Sequence, residues 1–555
     1  MKLMSVSCLA AAFAFAIPSL RADVLLWTGA GDGVSWGDGY NWRGNRTPTS
    51  VDTAVFTDEY PVNGQSVVVS GNQYVHTLKF SCLKPVAITA DAQAGGVLHL
   101  HDLVREDVEG EEGVQQLTCP LSLFAIGADT VCEWTVAGWN NLLVNAPNIT
   151  VDNPGLTLRK LGSGELHLNF SKAMMRDFTN GVWQVREGIL RGKSDSWLAG
   201  TATVEVGGGD TVATCYSENN GLSICDWRSV TVLSNGVFDV ARLDGKWRLK
   251  DLHVYAGGVA RVQNCCDVYP VFDGGTIEAK DGGDYLLSQS DIADPVKFLV
   301  NASDTTAHFD LKYQTKDGAD TPIAVSDGEA AVDLRMSKDI VGSAGGRVVK
   351  SGAGLVKHTG KFLADANLVI GAGTWLWDGN GVGAGLVSIS AGATLGGIGT
   401  MPVNKTSGFV CVYVNGNDGN PGWIAPGSVD DTDGSHVYGT LNLGSGRGDL
   451  SLLAHGAVKV RIGVVDGVTK CDSLVVNGYT HFSSDNKLVV EADRYAQLAV
   501  GTYTIFNSTW GMSSANGFAR YELPHLTHNR LSIEKNGNKI QLKVERCGGM
   551  MILLR

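Results

Sequence analysis

Lys350-Ser351-Gly352-Ala353-Gly354-Leu355-Val356-Lys357, followed by Leu368-Val369-Ile370-Gly371-Ala372-Gly373-Thr374-Trp375-Leu376, is the stretch that decides the fold. A Lys leads into Gly-x-Gly, an alternating strand follows, and a second strand ends in a Gly turn and restarts. The same phrase stands earlier. It runs Lys160-Leu161-Gly162-Ser163-Gly164-Glu165-Leu166-His167-Leu168 and then Val182-Trp183-Gln184-Val185-Arg186-Glu187-Gly188-Ile189-Leu190. A turn-bounded strand that recurs along a chain cannot bury its apolar face alone, so it implies stacked coils and not a closed globule.

Between the two copies the strand–turn–strand pattern continues through Val230 to Val240, Leu252 to Val262 and Val271 to Ala279. The turn glycines Gly236, Gly257 and Gly274 recur at similar spacing, and Gly371 and Gly392 repeat it. A loose period of roughly 20 residues suits one coil of a β-solenoid with insertions as loops. Period-2 alternation sends Val, Leu and Ile inward and Thr, Ser, Arg or Asp outward, and glycine serves the tight corners. Upstream, Ser66 to Val69, Val75 to Phe80 and Val97 to Leu100 alternate between Asn, Gly and Asp turns. The acidic run Glu106 to Glu112 reads as a solvated bend. No amphipathic helix follows the N-terminal apolar segment.

Further pieces occur downstream in a fixed order. They are Val387 to Thr400 with its Gly-Ala-x-Leu-Gly-Gly-x-Gly turn, Ile424-Ala425-Pro426-Gly427-Ser428 before Gly439-Thr440-Leu441, Cys471 to Gly478, and Gly501 to Phe506. With the two Lys-x-Gly-x-Gly copies they resemble the autotransporter-associated β-strand repeat of bacterial passenger proteins. The two copies (about 158–192 and 348–378) cover a small part of the chain. The resemblance implies a right-handed parallel β-solenoid displayed outside the cell. It says little about activity. The family's membrane β-barrel is not expected here, because the region after the last passenger-like strand is too short for one.

Composition agrees with many short strands. Among 555 residues Gly numbers 71, and charged residues make up 18%, below the usual quarter. A net charge of −13 without a basic patch argues against a general nucleic-acid binder, and no nucleic-acid partner is expected. Lys2, the apolar run Cys8 to Ile17 and the small residue Ala22 read as a signal peptide over residues 1–22, with a mature start at Asp23. No later segment is apolar enough to span a bilayer as a helix. Removing residues 1–22 leaves ten of the eleven cysteines, which permits disulfides in an exported chain. Local spacing favours Cys119 with Cys132 and Cys215 with Cys225; burial as small core residues is the alternative. Cys265 and Cys266 are adjacent and cannot easily pair with each other, and without Cys-x-x-Cys a Zn ribbon is unsupported.

Four constellations bear on chemistry. Gly29-Ala30-Gly31-Asp32-Gly33 lacks the third glycine and the following helix of a nucleotide loop. His99-Leu100-His101-Asp102 sets two imidazoles on one strand face, a spacing that suits a metal but lacks identifiable further ligands. Asp430-Asp431-Thr432-Asp433-Gly434-Ser435 and Asn415-Gly416-Asn417-Asp418-Gly419-Asn420 have the oxygen-rich composition of Ca²⁺ loops, yet the closing Glu is missing and both read as polar loops. Asp226, Asp239, Asp244, Asp251, Asp267 and Asp273 lie on neighbouring coils, where carboxylates that met would suit glycan cleavage.

The expectation is an all-β chain: a right-handed parallel β-solenoid (β-helix) with an aromatic N-terminal cap at 23–60, a solenoid over 61–439, a C-terminal β-rich, sandwich-like region over 440–545 and a short apolar tail at 546–555. Trp27, Trp36 and Trp42 form the cap, with a sugar-stacking platform as the alternative. No catalytic, cofactor-binding or metal residues are assigned and no cofactor is expected. The expected role is structural or adhesin-like, secreted or on the cell surface, with extracellular glycans as partners. The alternative is a polysaccharide-binding or polysaccharide-degrading β-helix. A groove where carboxylates and a basic residue converge beside Trp would favour the latter.

Overall fold

A computed structural model describes residues 22–547 apart from 61–65, 109–112, 139, 153–154, 170–180, 193–202, 218–225, 241–247, 264, 267, 289–297, 316, 343–344, 364–366, 382–384, 402–410 and 445. The signal-peptide segment to residue 21, most of the C-terminal tail and Cys225 therefore lie outside the described residues.

Alternation builds the coil one side at a time. In Arg347–Ser351 the buried positions are Val348 and Lys350, and in Leu355–His358 they are Val356 and His358. With Phe362–Leu363 these strands make three sides of one lap. The next lap lies directly on it: Arg347 to Lys350 pair in parallel with Asn367 to Ile370, and Leu355 to His358 pair in parallel with Thr374 to Trp377. Repetition produces a first sheet from Val24–Leu26 to Gly511–Met512 and a second from Val67–Val69 to Arg520–Glu522, both stacked in parallel. A third side is formed by five strands from Cys265–Cys266 to Phe362–Leu363, and further on by Thr400–Met401, Thr440–Leu443, Ser473–Val476 and Gly501–Ser508. The chain is thus a parallel β-solenoid, and one apolar core runs through it from Leu25 to Val544.

The repeated sequence phrase is a corner. Gly162 (φ +74°) and Gly352 (φ +78°) take the left-handed turn, and a Cβ on either would collide with a carbonyl of the lap below, that of Val136 or Val325. The motif lysines point inward. Lys160 Nζ donates to the carbonyls of Leu161 (2.9 Å), Gly162 (2.6 Å) and Glu187 (3.1 Å). Lys350 Nζ repeats this with Ser351 (3.4 Å), Gly352 (2.6 Å) and Ala372 (2.9 Å). An ammonium has three N–H groups to give, so each lysine ties its own turn to the turn of the next lap. Burial pushes Lys160 down to about 7 and Lys350 down to about 8.

The N-terminal aromatics are a lid. Trp27, Trp36 and Trp42 are at most 1% exposed and pack edge-on at 4.9–5.1 Å, above Phe56, which stacks on Phe80. Rings buried this way offer no face to a sugar, which overturns the platform alternative. Beneath the lid, buried Asp52 accepts from Arg46, Thr49 and the Asp23 N–H.

The expected sandwich from Thr440 is corrected by the pairings. Thr440–Leu443 stacks in parallel on Ser473–Val476, Leu450–Leu452 on Tyr479–Phe482, and Ala457–Val465 on Lys487–Glu491. Coiling continues, but these laps are longer than the period read from the turn glycines, which therefore loses it. Ala457–Val465 and Val468–Cys471 make a small antiparallel hairpin on the way, and at the end Asn529–Asn536 and Lys539–Arg546 form a longer one, laid antiparallel on Gly501–Ser508. A terminal hairpin covers an edge that would otherwise recruit another strand.

The cysteine pairing of Cys119 with Cys132 is also overturned. Both are free, buried thiols, pushed up to about 12 by burial. Cys215 is likewise a free thiol in the core. These residues fill space as small apolar side chains.

Candidate functional site

Because laps stack in register, outward side chains on the second sheet form rows. One row runs His167, Arg191, Tyr216, Asp239, Arg261, Glu278, Asp310, each directly above the last. The inward neighbours Leu166, Leu190, Cys215, Phe238, Ala260, Ile277 and Phe309 are core. Alternation alone therefore presents this row on the wall, at about 4.8 Å per step.

Charges of opposite sign meet along it. Arg261 Nε donates to Glu278 at 2.8 Å, and Lys280 Nζ donates to Asp239 at 2.5 Å with only 9% and 15% of those two side chains exposed. Arg191 pairs with Glu165, and both Arg191 and Lys280 lie over the Tyr216 ring, at 4.7 and 4.4 Å. Ser337 donates to Asp310. A groove of about 510 Å³ opens here, lined chiefly by Asp239, Arg261, Glu278, Asp281, Asp310 and Lys338. Among the described residues its lining holds no Trp. Its stacked carboxylates Asp239, Glu278 and Asp310 are each engaged by a cation or hydroxyl. Donors and acceptors alternate along the groove wall.

Of the six aspartates singled out from sequence, the three with described side chains do not converge. Asp239 lines the groove. Asp251 and Asp273 belong to first-sheet strands, where Asp273 accepts from Asn301 at 2.8 Å. The Asp226 side chain, Asp244 and Asp267 lie outside the described residues. Glu278 and Asp310 complete the groove and were missed. Their signal is the lap-to-lap register, which residue spacing does not carry.

The calcium-like loops are turns. Asp430 and Asp433 accept from backbone N–H groups of their own loop, at Thr432 and Ser435, while Asp431 reaches across to Arg335 (2.7 Å) and Lys357 (2.6 Å). Their oxygens thus close and anchor a loop against the second sheet. Asn417 and Asn420 close a tight turn by mutual backbone bonds. In Gly29 to Gly33, Asn41 Oδ1 accepts from Gly31 and Gly33, so that loop is tied to the cap.

The paired histidines are separated by the structure. His99 stacks on Tyr74 at 4.3 Å and faces Asp152. His101 is 1% exposed and meets His76 of the preceding lap, ring to ring at 5.1 Å. Asp102 joins them, so that ligand-capable atoms of His76, His101 and Asp102 all lie within 4.8 Å of one another. Burial pushes the Asp102 carboxyl above its usual range, against the Glu133 N–H and the two imidazoles.

No protein-family model matches the chain, and no curated protein matches it. Among the described residues no helix is long and apolar enough to cross a membrane.

Proposed function

We propose that the chain is an exported, passenger-type wall protein, structural or adhesin-like, that works outside the cell and is not an enzyme. The observation that carries this reading is the outward row from His167 to Asp310, in which Asp239, Glu278 and Asp310 are all engaged by neighbours. Such a wall resists unfolding and presents a continuous polar face. The Lys2 and Cys8 to Ile17 segment and the likeness of the Lys-x-Gly-x-Gly corners to passenger repeats support export and display. Protease shaving of intact source cells tests it. The expected result is surface or medium location of a chain cut near Ala22; an uncut chain in the cytosol overturns it.

A second reading, polysaccharide binding, is favoured by one feature: the groove opposes Asp239, Glu278 and Asp310 to Arg261 and Lys338 on stacked laps. A glycan array with the wild type and Arg261→Ala separates the two. Binding that is lost in R261A favours the second reading, and release of new reducing ends would make the protein an enzyme.

A further inference from the structure

We infer that His76, His101 and Asp102 bind one divalent transition-metal ion, Zn²⁺ foremost, as a staple between adjacent laps near the N-terminal cap. The register creates the site. Val75 lies opposite Leu100 and Thr77 opposite Asp102, which sets His76 beside His101. Two imidazoles and a carboxylate are the donor set of many zinc centres, and nitrogen with oxygen ligands suits Zn²⁺ better than Ca²⁺ or Mg²⁺.

Orientation is the stronger argument. His101 Nδ1 donates to the Phe124 carbonyl at 2.7 Å. The neutral ring then carries its lone pair on Nε2, and Nε2 faces Asp102 (3.8 Å) and Asp129 (3.8 Å). A backbone carbonyl that fixes the far nitrogen is the usual support for a metal-bound histidine. Asp102 is fixed in the same way, since its Oδ1 accepts from the Glu133 N–H at 2.9 Å, while Oδ2 lies 3.9 Å from His76 Nδ1. Ligand atoms of a tetrahedral ion with bonds of about 2.0–2.1 Å are about 3.3 Å apart. The observed gaps exceed this by about 1.5 Å at most, within reach of side-chain adjustment. Asp129, at the turn before Val131–Val136, lies 3.8 Å from His101 Nε2 but outside this cluster of three, so water would complete the tetrahedron. Cys132 is 3.5 Å from His101, but on the Nδ1 side, away from the ligand nitrogen. It belongs to the support and not to the ligands.

The test uses the full-length chain, stripped with a chelator and titrated with Zn²⁺ alone. The expected result is uptake of one ion per chain, a rise in the thermal midpoint with Zn²⁺, and tetrahedral visible bands when Co²⁺ replaces it. His76 is one-third exposed, so His76→Ala leaves the fold intact; it should weaken Zn²⁺ at least tenfold and abolish the thermal shift. Asp102→Asn should do likewise, whereas His99→Ala should leave affinity unchanged. No stoichiometric uptake, or affinity unaltered in H76A, overturns the inference.

Discussion

Lys160→Met removes an ammonium from a corner and keeps an unbranched apolar stem in its place. Lys160 is 2% exposed and gives three hydrogen bonds of 2.6–3.1 Å to carbonyls of two consecutive turns. A hydrogen bond to a charged group contributes about 1.5–3 kcal/mol, so roughly 4–9 kcal/mol of contacts is lost. Opposing this, burial lowers the lysine from 10.5 to about 7, and at about 1.4 kcal/mol for each pH unit that is about 5 kcal/mol of penalty on the charged form. The net cost of the substitution at pH 6 is then about 2 kcal/mol. The pH dependence has a definite sign. The unfolded lysine binds its proton up to about 10.5 and the folded one only to about 7, so between these values the unfolded state holds more protons and stability rises with pH. The rise belongs to the wild type alone. The gap between wild type and K160M should therefore widen from pH 7 to 10.5, by no more than about 5 kcal/mol and by less to the extent that the third carbonyl bond is lost with the proton. A stacked array does not unfold in one step, so the assay is hydrogen exchange in peptides that cover Thr157–Leu161 and Val182–Val185. Equal protection in the two proteins at pH 6, or a gap that narrows as pH rises, would refute this account of the corner. Lys350→Met should behave alike around Arg347–Ser351.

Gly352→Ala should cost more than about 3 kcal/mol, because the left-handed φ is joined by a collision with the Val325 carbonyl, whereas Gly467→Ala, left-handed but open, should cost about 1 kcal/mol; thermal unfolding of the two variants compares them. Burial pushes the Asp52 carboxyl up, but Arg46, Thr49 and backbone N–H groups outweigh it and hold the group well below the usual carboxylate range. Its contribution is present above pH 3.8 and lost as pH falls below it, so acid should open residues 23–57 early, and Asp52→Asn should open them already at pH 7, as read by hydrogen exchange. Trp36→Ala should cost about 3–5 kcal/mol, the usual figure for a fully buried aromatic, and added oligosaccharides should leave the tryptophan fluorescence of the cap unchanged.

How much of this was legible depends on whether the information is local. The corner glycines and the alternation of Val348, Lys350, Val356 and His358 act within a short span, and the solenoid followed from them. The buried position of Lys350 was equally implied by alternation, but a lysine read by type alone belongs outside, and only three converging carbonyls explain why it does not. Turn chemistry was legible in kind and slightly misplaced: Gly257, Gly274 and Gly392 are left-handed, while at Gly236 the preceding Asn235 takes that conformation and near Gly371 it is Gly373.

The site was harder for a different reason. Successive members of the outward row, from Arg191 through Tyr216, Asp239, Arg261 and Glu278 to Asp310, are unevenly spaced along the chain. Each lap absorbs its insertion in a loop, and the register is restored by the inward side chains and not by the count. A one-residue slip would turn Phe238 outward and Asp239 into the core, so the row is a by-product of burying Leu190, Cys215, Phe238 and Ile277 in line. The same holds for His76 and His101: a full lap apart in sequence, they meet because Leu78 must stack under Leu103. His99 and His101, close neighbours and nominally on one face, diverge because His101 turns inward where Leu100 and His101 are both buried. In a stacked fold the chemistry is composed across laps, and a functional residue is found by asking which core residue holds its neighbour in place.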